Sequence, residues 1–553
     1  MNVLKAARVP ADDPCPRVEG RDRIRSEFAG YLADESRTAA EPPEVLFLPE
    51  RLPHVCQAVR ECAQNDFPLT AAGARTGIVG GAVPVESRAV LAMERMNRFL
   101  EVRASERGGG FAARLEAGVI LADFQEKLRA TTPQELPWAD AESREAGMRM
   151  LEKSARRGRS HRRLHRRSHL FYPIDPTETS AQIGGTISTN ASGARTFHYG
   201  PTRAWVEGLT VVLATGEALF LKRGEVLAEG GRFVLQAAAG ETAIPIPRLP
   251  MPATKNTAGY YLQPGMDAVD LFIGSEGTLG VVTEVELRLT LEPPERLAAT
   301  AFLPGEREAL ALARALRKER GLGTLAIEYF GPHALDLLRR KRSEEGASSG
   351  VPALDEGAAC AVFAEIAFEG DEEFESCYRT LRGLLERFGT SARATWAGVT
   401  AGEMAAMKDF RHALPEAVNA IIARRKLDVP SLHKVGTDMA VPDERLEEVM
   451  ALYRGKLAES GLEHVIFGHV GDNHLHVNIL PRSAAELKRA EGLYESFARA
   501  VVAMGGSVSA EHGIGRIKRP FLRIQYGAEM IDAMRAVKRA LDPQGLLNPG
   551  VIF

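Results

Sequence analysis

Phe67-Pro-Leu-Thr-Ala-Ala-Gly-Ala-Arg-Thr-Gly-Ile-Val-Gly-Gly-Ala-Val-Pro84 reads as a strand running into a loop that carries Gly73, Gly77, Gly80 and Gly81. Glycine reaches positive φ and lets other groups approach the backbone. Consecutive amides in such a loop form an anion nest, for which a diphosphate is a usual guest. No Gly-Lys-Ser/Thr follows, which excludes a Walker loop, and the Gly-x-Gly-x-x-Gly of a dinucleotide helix is missing. Two further stretches share this character. Asp175-Pro-Thr-Glu-Thr-Ser-Ala-Gln-Ile-Gly-Gly-Thr-Ile-Ser-Thr-Asn-Ala-Ser-Gly193 is small, hydroxylated and glycine-dense, able to press backbone against a flat ring system. Asp270-Leu-Phe-Ile-Gly-Ser-Glu-Gly-Thr-Leu-Gly-Val-Val-Thr283 reads as an apolar strand ending at Gly274, a turn, and a strand re-entered at Val281.

The polar chemistry is concentrated elsewhere, in His469-Val-Gly-Asp-Asn-His-Leu-His-Val-Asn478. Val465-Ile-Phe467 precedes it as a strand, Gly471-Asp472-Asn473 supplies a turn, and Leu475 to Leu480 resumes as a second strand, which predicts a hairpin. Side chains alternate along a strand, so His474, His476 and Asn478 share one face while Leu475, Val477 and Ile479 share the other. An unpaired buried polar group costs roughly 1 to 3 kcal/mol. The row therefore reads as a site rather than as an exposed polar hairpin. A borderline divalent metal accepts two imidazoles and a carboxylate and keeps positions open for substrate or water. His469 and His476 are the candidate imidazoles, and Glu511, in Ser509-Ala-Glu-His-Gly-Ile-Gly515, is the candidate carboxylate.

Length and composition set the frame. A chain of 553 residues exceeds one hydrophobic core, so two or three domains are expected. With 45% hydrophobic and 26% charged residues, a net charge of -3 and a pI near 6.5, it has an ordinary globular composition and no electrostatic case for nucleic acid. No apolar run approaches the ~18 residues of a membrane span, and the start lacks a signal-peptide core. The expectation is a cytoplasmic protein, with room for peripheral attachment to the inner face of a membrane. Cys15, Cys56, Cys62, Cys360 and Cys377 are scattered, giving neither a disulfide framework nor an iron-sulfur ligand set.

Residues 1–40 are charged and weakly periodic and read as an N-terminal segment. An α/β domain is expected over 41–293, opening with a strand at Glu44 to Leu48 and a helix over Leu52 to Gln64. Arg144 to His169 carries ten Lys or Arg against two Glu and reads as a solvated insertion, with contact to an acidic partner or anionic lipid as the alternative. From about Pro293 helices (Arg307 to Arg320, Asp371 to Phe388) alternate with strands (Thr324 to Phe330, Ala359 to Phe368), an α+β cap over 294–504. A C-terminal segment, 505–553, follows.

The order and spacing of the three glycine-rich segments resemble the FAD-linked oxidase superfamily of the p-cresol methylhydroxylase or vanillyl-alcohol oxidase type. Within it the chain is most similar to the D-2-hydroxy-acid dehydrogenase branch, which includes D-lactate dehydrogenase, D-2-hydroxyglutarate dehydrogenase and the flavin subunit of glycolate oxidase. The resemblance runs from about Glu44 to Phe553. It implies an α+β protein: a two-part α/β FAD-binding domain plus an α+β cap with a large antiparallel sheet, whose last segment returns to the flavin.

Carried over residue by residue, the resemblance places Ala71, Ala72, Gly73, Ala74, Arg75, Thr76 and Gly77 around the FAD diphosphate. Asp175, Pro176, Thr177, Glu178, Thr179, Ser180, Ala181, Thr189, Asn190, Ala191 and Ser192 would line the cofactor, with Glu276, Gly277, Thr278, Leu279, Gly280, Val281 and Val282. Asn548, in the closing Asn-Pro-Gly-Val-Ile-Phe553, would reach the flavin ring. The loop reads Gly-Ala-Arg-Thr-Gly where the family often has Gly-Gly-Gly-Thr, so Ala74 and Arg75 must adopt conformations that tolerate a Cβ. No histidine or cysteine lies in this loop, so the FAD is expected to be non-covalent.

The implied reaction oxidises a small D-2-hydroxy acid to the 2-oxo acid. Arg411 and Lys434 would hold the carboxylate, Arg as a fork and Lys as a point charge. A divalent metal, Zn, Mn or Fe, on His469, His476 and Glu511 would bind the α-hydroxyl and lower its pKa. His512 would take the hydroxyl proton as hydride passes to flavin N5, and Asn478 would steady the developing alkoxide. Pro415 stands where some relatives carry a hydroxyl residue. His474 stands where relatives often have Asn, and the resemblance gives it no role. The electron acceptor, whether a separate protein, an iron-sulfur subunit, a quinone or oxygen, stays open, as does a homodimer. Alternatives are a non-redox flavoprotein like alkyl-dihydroxyacetone-phosphate synthase, a catalytically silent flavin subunit of a larger complex, and a metallohydrolase, which would leave the glycine-rich elements idle.

Overall fold

The computed structural model describes residues 2–105, 110–132, 134–157 (backbone only beyond 151) and 169–553. A four-stranded sheet is built first, in the order Arg17–Glu19, Val45–Phe47, Ala89–Ala92, Leu69–Ala72, its last three strands parallel. The helix Leu52–Gln64 crosses between Val45–Phe47 and Leu69–Ala72 and buries Val55, Cys56, Val59 and Cys62 against it, as the 3.6-residue spacing of these apolar side chains predicts. Gly73 follows directly where strand Leu69–Ala72 ends.

The second half of this domain is a nine-stranded sheet. Its main order is Gly240–Pro245, Arg232–Ala237, Val3–Ala7, Ala218–Lys222, Val206–Val212, Val281–Leu291, Phe111–Glu116, Phe99–Ala104. Residues 1–40, expected to stand apart, are woven into both sheets. Val3–Ala7 pairs parallel to Arg232–Ala237 and antiparallel to Ala218–Lys222, and Arg17–Glu19 pairs with Val45–Phe47. A five-residue strand is too short for its charged flanks to reveal it in the sequence.

The cap is an antiparallel sheet of eight strands: Thr395–Gly398, Glu295–Leu303, Cys360–Phe368, Thr324–Phe330, His464–His469, His474–Ile479 and Val435–Gly436, with Met439–Ala440 also on His474–Ile479. The helices Pro332–Glu345 and Ala401–Lys426 pack on one face through Leu335, Leu338, Met407, Phe410 and Leu414. Pro415 lies inside the second of these. Lacking an N–H, it cannot bond the carbonyl four residues earlier, that of Arg411.

Two expectations need correction or limits. The stretch before Gly274 is not a strand: Ala268–Phe272 forms a short helix, capped by Asp267, whose side chain accepts from the Val269 amide. Asp270 sets this helix in place by pairing with two largely enclosed guanidiniums, Arg203 (Nη1 3.0 Å) and Arg223 (3.0 Å to each carboxylate oxygen). The basic stretch from Arg144 begins as helix Ala141–Arg157, and its residues 158–168 lie outside the described ones.

Burial opposes charge on Asp270, but the hydrogen bond from Arg223 and the charges of Arg203 and Arg223 outweigh it and hold its pKa below the ordinary value of 3.8. A depressed carboxylate contributes stability that is full above its unfolded pKa and lost as pH falls through the folded one. Asp270→Asn, which strands two largely enclosed cations, is expected to cost about 3 kcal/mol. Urea unfolding at pH 7 measures the loss, and the gap between variant and wild type should close below about pH 4.

Candidate active site

The hairpin forms with His469 opposite His474, Phe467 opposite His476 and Val465 opposite Asn478. Paired residues share a face. The register therefore gathers His469, His474, His476 and Asn478 on one side of the cap sheet, as the alternation predicts. Room for them comes from two glycines. A Cβ on Gly468 (φ 133°) would stand 2.8 Å from the His476 ring, and one on Gly436 would stand 3.0 Å from Asn478 Oδ1.

Each imidazole turns an outer nitrogen toward a polar group of the scaffold. His469 Nδ1 meets Glu328 Oε1 at 2.6 Å, His476 Nδ1 meets the Thr437 carbonyl at 3.1 Å, and His474 Nε2 lies 2.9 Å from Asp438 Oδ1. Glu328 arrives because Thr324–Phe330 pairs with His464–His469 through Tyr329 opposite Gly468. The inner nitrogens turn to Glu511: His469 Nε2 and His476 Nε2 each lie 3.5 Å from Oε1, and His474 Nδ1 lies 3.7 Å from Oε2. The donor atoms of these four residues lie within 4.8 Å of one another, close enough for a single divalent ion to draw together. Burial opposes charge on His469, yet Glu328 and Glu511 outweigh it and raise its pKa to about 10, while Glu328 falls to about 2. Burial dominates at His474 and lowers its pKa to about 3.

Glu511 comes from the C-terminal segment, and Asp438 places it. The Asp438 carboxylate accepts from the amides of Glu511 (3.2 Å) and His512 (3.0 Å) and from Ser509 Oγ (3.0 Å), and it pairs with Lys518. Lys255 Nζ donates to Glu511 Oε2 at 2.7 Å, deep in the protein. His512 lies with Nδ1 3.3 Å from Asp438 Oδ2 and Nε2 3.5 Å from Glu511 Oε1, its ring stacked on His476.

Of the expected carboxylate-binding residues, Arg411 is tied to the cluster. Its Nη2 lies 3.8 Å from Glu328 Oε2, the guanidinium stacks 4.9 Å over Phe363, and Nε is buried without a hydrogen bond. Lys434 precedes strand Val435–Gly436, in which Gly436 opposes Asn478, so it shares the face of Asn478 without touching the histidines. It keeps solvent access, but desolvation by the protein around its ammonium and the charge of Arg37 lower its pKa.

The glycine-rich segments meet one another directly. The Glu276 amide donates to the Ser188 carbonyl (2.8 Å) and the Gly274 amide to the Ile187 carbonyl (3.0 Å). Asn548 Oδ1 accepts from the Ala71 amide (2.9 Å), and its Nδ2 donates to the Glu276 carbonyl (2.7 Å). The Asn548 carboxamide, expected to reach a flavin ring, is thus engaged in stapling the first and third segments. The Glu276 carboxylate accepts from the amides of Ile514 (2.8 Å) and Gly515 (2.7 Å), tying the third segment to the strip that bears Glu511. Arg75, Asn190, Glu276 and Asn548 all take positive φ, a strain that concentrates in ligand-facing turns. Arg75 tolerates it while its guanidinium stacks 4.0 Å over Tyr31.

A nucleotide cofactor fits this cradle. Nothing stands within 4 Å of a Cβ built on Gly77, Gln182 Oε1 beside Gly73 is buried without a hydrogen-bond partner, and so is Ser192 Oγ. Asp175 lies under Gly193, and its amide-facing Oδ1 accepts from Arg195. Burial raises the Asp175 pKa to about 6 against the charge of Arg195. Leu279, Val281 and Val282 are buried in apolar core, so their part of the segment offers backbone.

Sequence reasoning missed Lys255, Glu328, Asp438 and Lys518. Only Asp438 carried a signal, as an acid four residues after Lys434 in the stretch from His433 to Pro442.

Comparison with known proteins matches two parts of the chain to family models. Residues 43–135 and 158–222 match the model of an FAD binding domain, and residues 292–552 match that of the FAD linked oxidases, C-terminal domain. The chain is 29% identical to a D-2-hydroxyglutarate dehydrogenase of Xanthomonas citri, over 96% of this chain and 94% of the relative. It is 27% identical to a D-lactate dehydrogenase of Anaerostipes hadrus (92% and 89% covered) and 25% identical to the glycolate oxidase subunit GlcD of Bacillus subtilis (97% and 95%). A solved alkyldihydroxyacetonephosphate synthase shares the fold, with a TM-score of 0.58 at 14% identity, covering 99% of this chain and 88% of that one. No helix among the described residues is long and apolar enough to cross a membrane.

Proposed function

The chain belongs to the FAD-linked oxidases by both of its domains, and on that premise we propose that it oxidises a small D-2-hydroxy acid to the 2-oxo acid with the help of a divalent metal. One observation carries the reading: His469 Nε2, His476 Nε2 and His512 Nε2 all converge on Glu511 Oε1 at 3.5 Å, on a strip fastened to the cofactor segment through Glu276. The named relatives, dehydrogenases or oxidases of D-2-hydroxyglutarate, D-lactate and glycolate, support the same substrate class.

FAD, non-covalently bound, would supply the hydride acceptor, and a divalent ion held by His469, His476 and Glu511 would supply positive charge that makes an α-hydroxyl more acidic. The protein's own groups do the rest. Arg411 and Lys434 offer a fork and a point charge to the substrate carboxylate. His512, held from behind by Asp438, takes the proton of the α-hydroxyl while the C–H bond breaks. Asn478, on the same face as the histidines, steadies charge growing on that oxygen. The substrate thereby loses its hydroxyl proton to His512 and a hydride from the α-carbon, two protons and two electrons in all, and the two electrons would go on from bound FAD to an acceptor. GlcD is by its name a subunit, which supports an acceptor on a partner chain. We assign the FAD domain to 41–293 together with the strands Val3–Ala7 and Arg17–Glu19 that join its sheets, the cap to 294–504 and the returning segment to 505–553. A non-redox reaction would leave the histidine cluster idle.

Anaerobic mixing of the flavin-containing protein with a panel of D- and L-2-hydroxy acids tests the proposal. One D-acid should bleach the flavin band, and chelation should abolish the bleaching. A retained band with every acid would overturn the dehydrogenase reading. His512→Ala is expected to slow bleaching by about 10² to 10⁴, the usual share of a general base. Asn548→Ala removes both hydrogen bonds that staple Ala71 to Glu276, worth about 1 to 3 kcal/mol together. Flavin retention on gel filtration should fall by an order of magnitude or more at unchanged far-ultraviolet circular dichroism.

A further inference from the structure

His474 is the member of the cluster to which the resemblance assigns nothing. It is 0% exposed and lies between its cross-strand partner His469 and its same-strand neighbour His476, with ring centroids 5.4 and 4.4 Å away. Its Nε2 lies 2.9 Å from Asp438 Oδ1, out of line for a straight hydrogen bond, and its Nδ1 has no hydrogen-bond partner. A buried imidazole nitrogen without a partner costs roughly 1 to 3 kcal/mol. That nitrogen is aimed at Glu511 Oε2 from 3.7 Å. A packing histidine would bond its second nitrogen to a carbonyl or hydroxyl, and this one is left facing the same carboxylate as His469 and His476.

The arrangement repeats the logic of its neighbours. A metal-bound histidine is oriented by a carboxylate or carbonyl on its outer nitrogen, and Asp438 stands to His474 as Glu328 stands to His469. Ligands about 2.1 Å from an ion lie about 3.4 Å apart in a tetrahedron and about 4.2 Å apart when opposite. The four donors, all within 4.8 Å of one another, reach those spacings through inward movements of no more than about 1 Å.

We propose that His474, through Nδ1, is a fourth protein ligand of the divalent ion, which turns a two-histidine, one-carboxylate set into a three-histidine, one-carboxylate set. The inference rests on the metal reading given above. A third imidazole favours Zn, Fe or Co over Mn, whose preference is for oxygen, and it leaves one fewer position open to the substrate oxygens.

The test uses the flavin-containing full-length protein, stripped with a chelator and titrated with Co(II) by equilibrium dialysis. Wild type, His474→Asn and Glu511→Gln are compared, with cobalt measured by elemental analysis. X-ray absorption at the cobalt edge counts the imidazoles on the ion in the wild type without any variant. Three imidazoles, with an affinity about 100-fold weaker in His474→Asn, the upper end of what even supporting residues contribute, are expected. Two imidazoles, or equal affinity in His474→Asn, would overturn the assignment of His474 and leave the metal site standing. Wild type binding no better than Glu511→Gln would overturn the metal site itself, and this assignment with it.

Discussion

Asp438 carries a carboxylate that is 1% exposed, and the active-site architecture hangs on how that charge is met. Burial penalises it, and His512, Lys518 and His474 outweigh the penalty and hold its pKa well below the ordinary carboxylate value. The same oxygens accept the amides of Glu511 and His512 and the hydroxyl of Ser509. A single buried anion thus faces one histidine of the cap, fixes the backbone of the strip that delivers Glu511 and His512, and draws in a lysine from the start of the C-terminal helix. Breaking such a pair would leave charges buried and unmatched, which costs far more than the pair itself contributes.

Glu276 plays the corresponding part on the flavin side. It sits at positive φ between two segments, and its carboxylate takes the amides of Ile514 and Gly515. The strip 507–516 therefore spans two acceptors, Asp438 in the cap and Glu276 in the FAD domain, with the Thr257 amide bonded to its Ser509 carbonyl at 2.8 Å between them. Cofactor segment and histidine hairpin are held in register by backbone hydrogen bonds to buried side chains, and neither depends on a long flexible side chain for its placement. Gly436 and Gly468 complete this economy by leaving space where Asn478 and the His476 ring must lie.

How far the sequence could be read follows from the range of the forces concerned. Leu52–Gln64 and Thr324–Phe330 are legible because helix and strand periodicity is written in neighbouring residues. The hairpin register puts His474, His476 and Asn478 on one face for the same reason, since a one-residue slip would bury polar groups in the sheet core. Ala268–Phe272 was not legible: a short apolar run suits strand or buried helix alike, and the choice was made by Asp270 meeting Arg203 and Arg223. Val3–Ala7 was hidden because it joins its sheet through strands some two hundred residues away.

The sequence by itself, through the resemblance its glycine-rich segments carry, determined an α+β chain with an FAD-binding part, and it marked the histidine hairpin and Glu511 as a polar cluster that the structure brings together. Only the tertiary structure decided which groups neutralise and aim them. Glu328 reaches His469 across 141 residues and Lys255 reaches Glu511 across 256. No local pattern marks such residues, because what selects them is the cost of leaving a buried charge unmatched, and that cost exists only once the chain has closed around it.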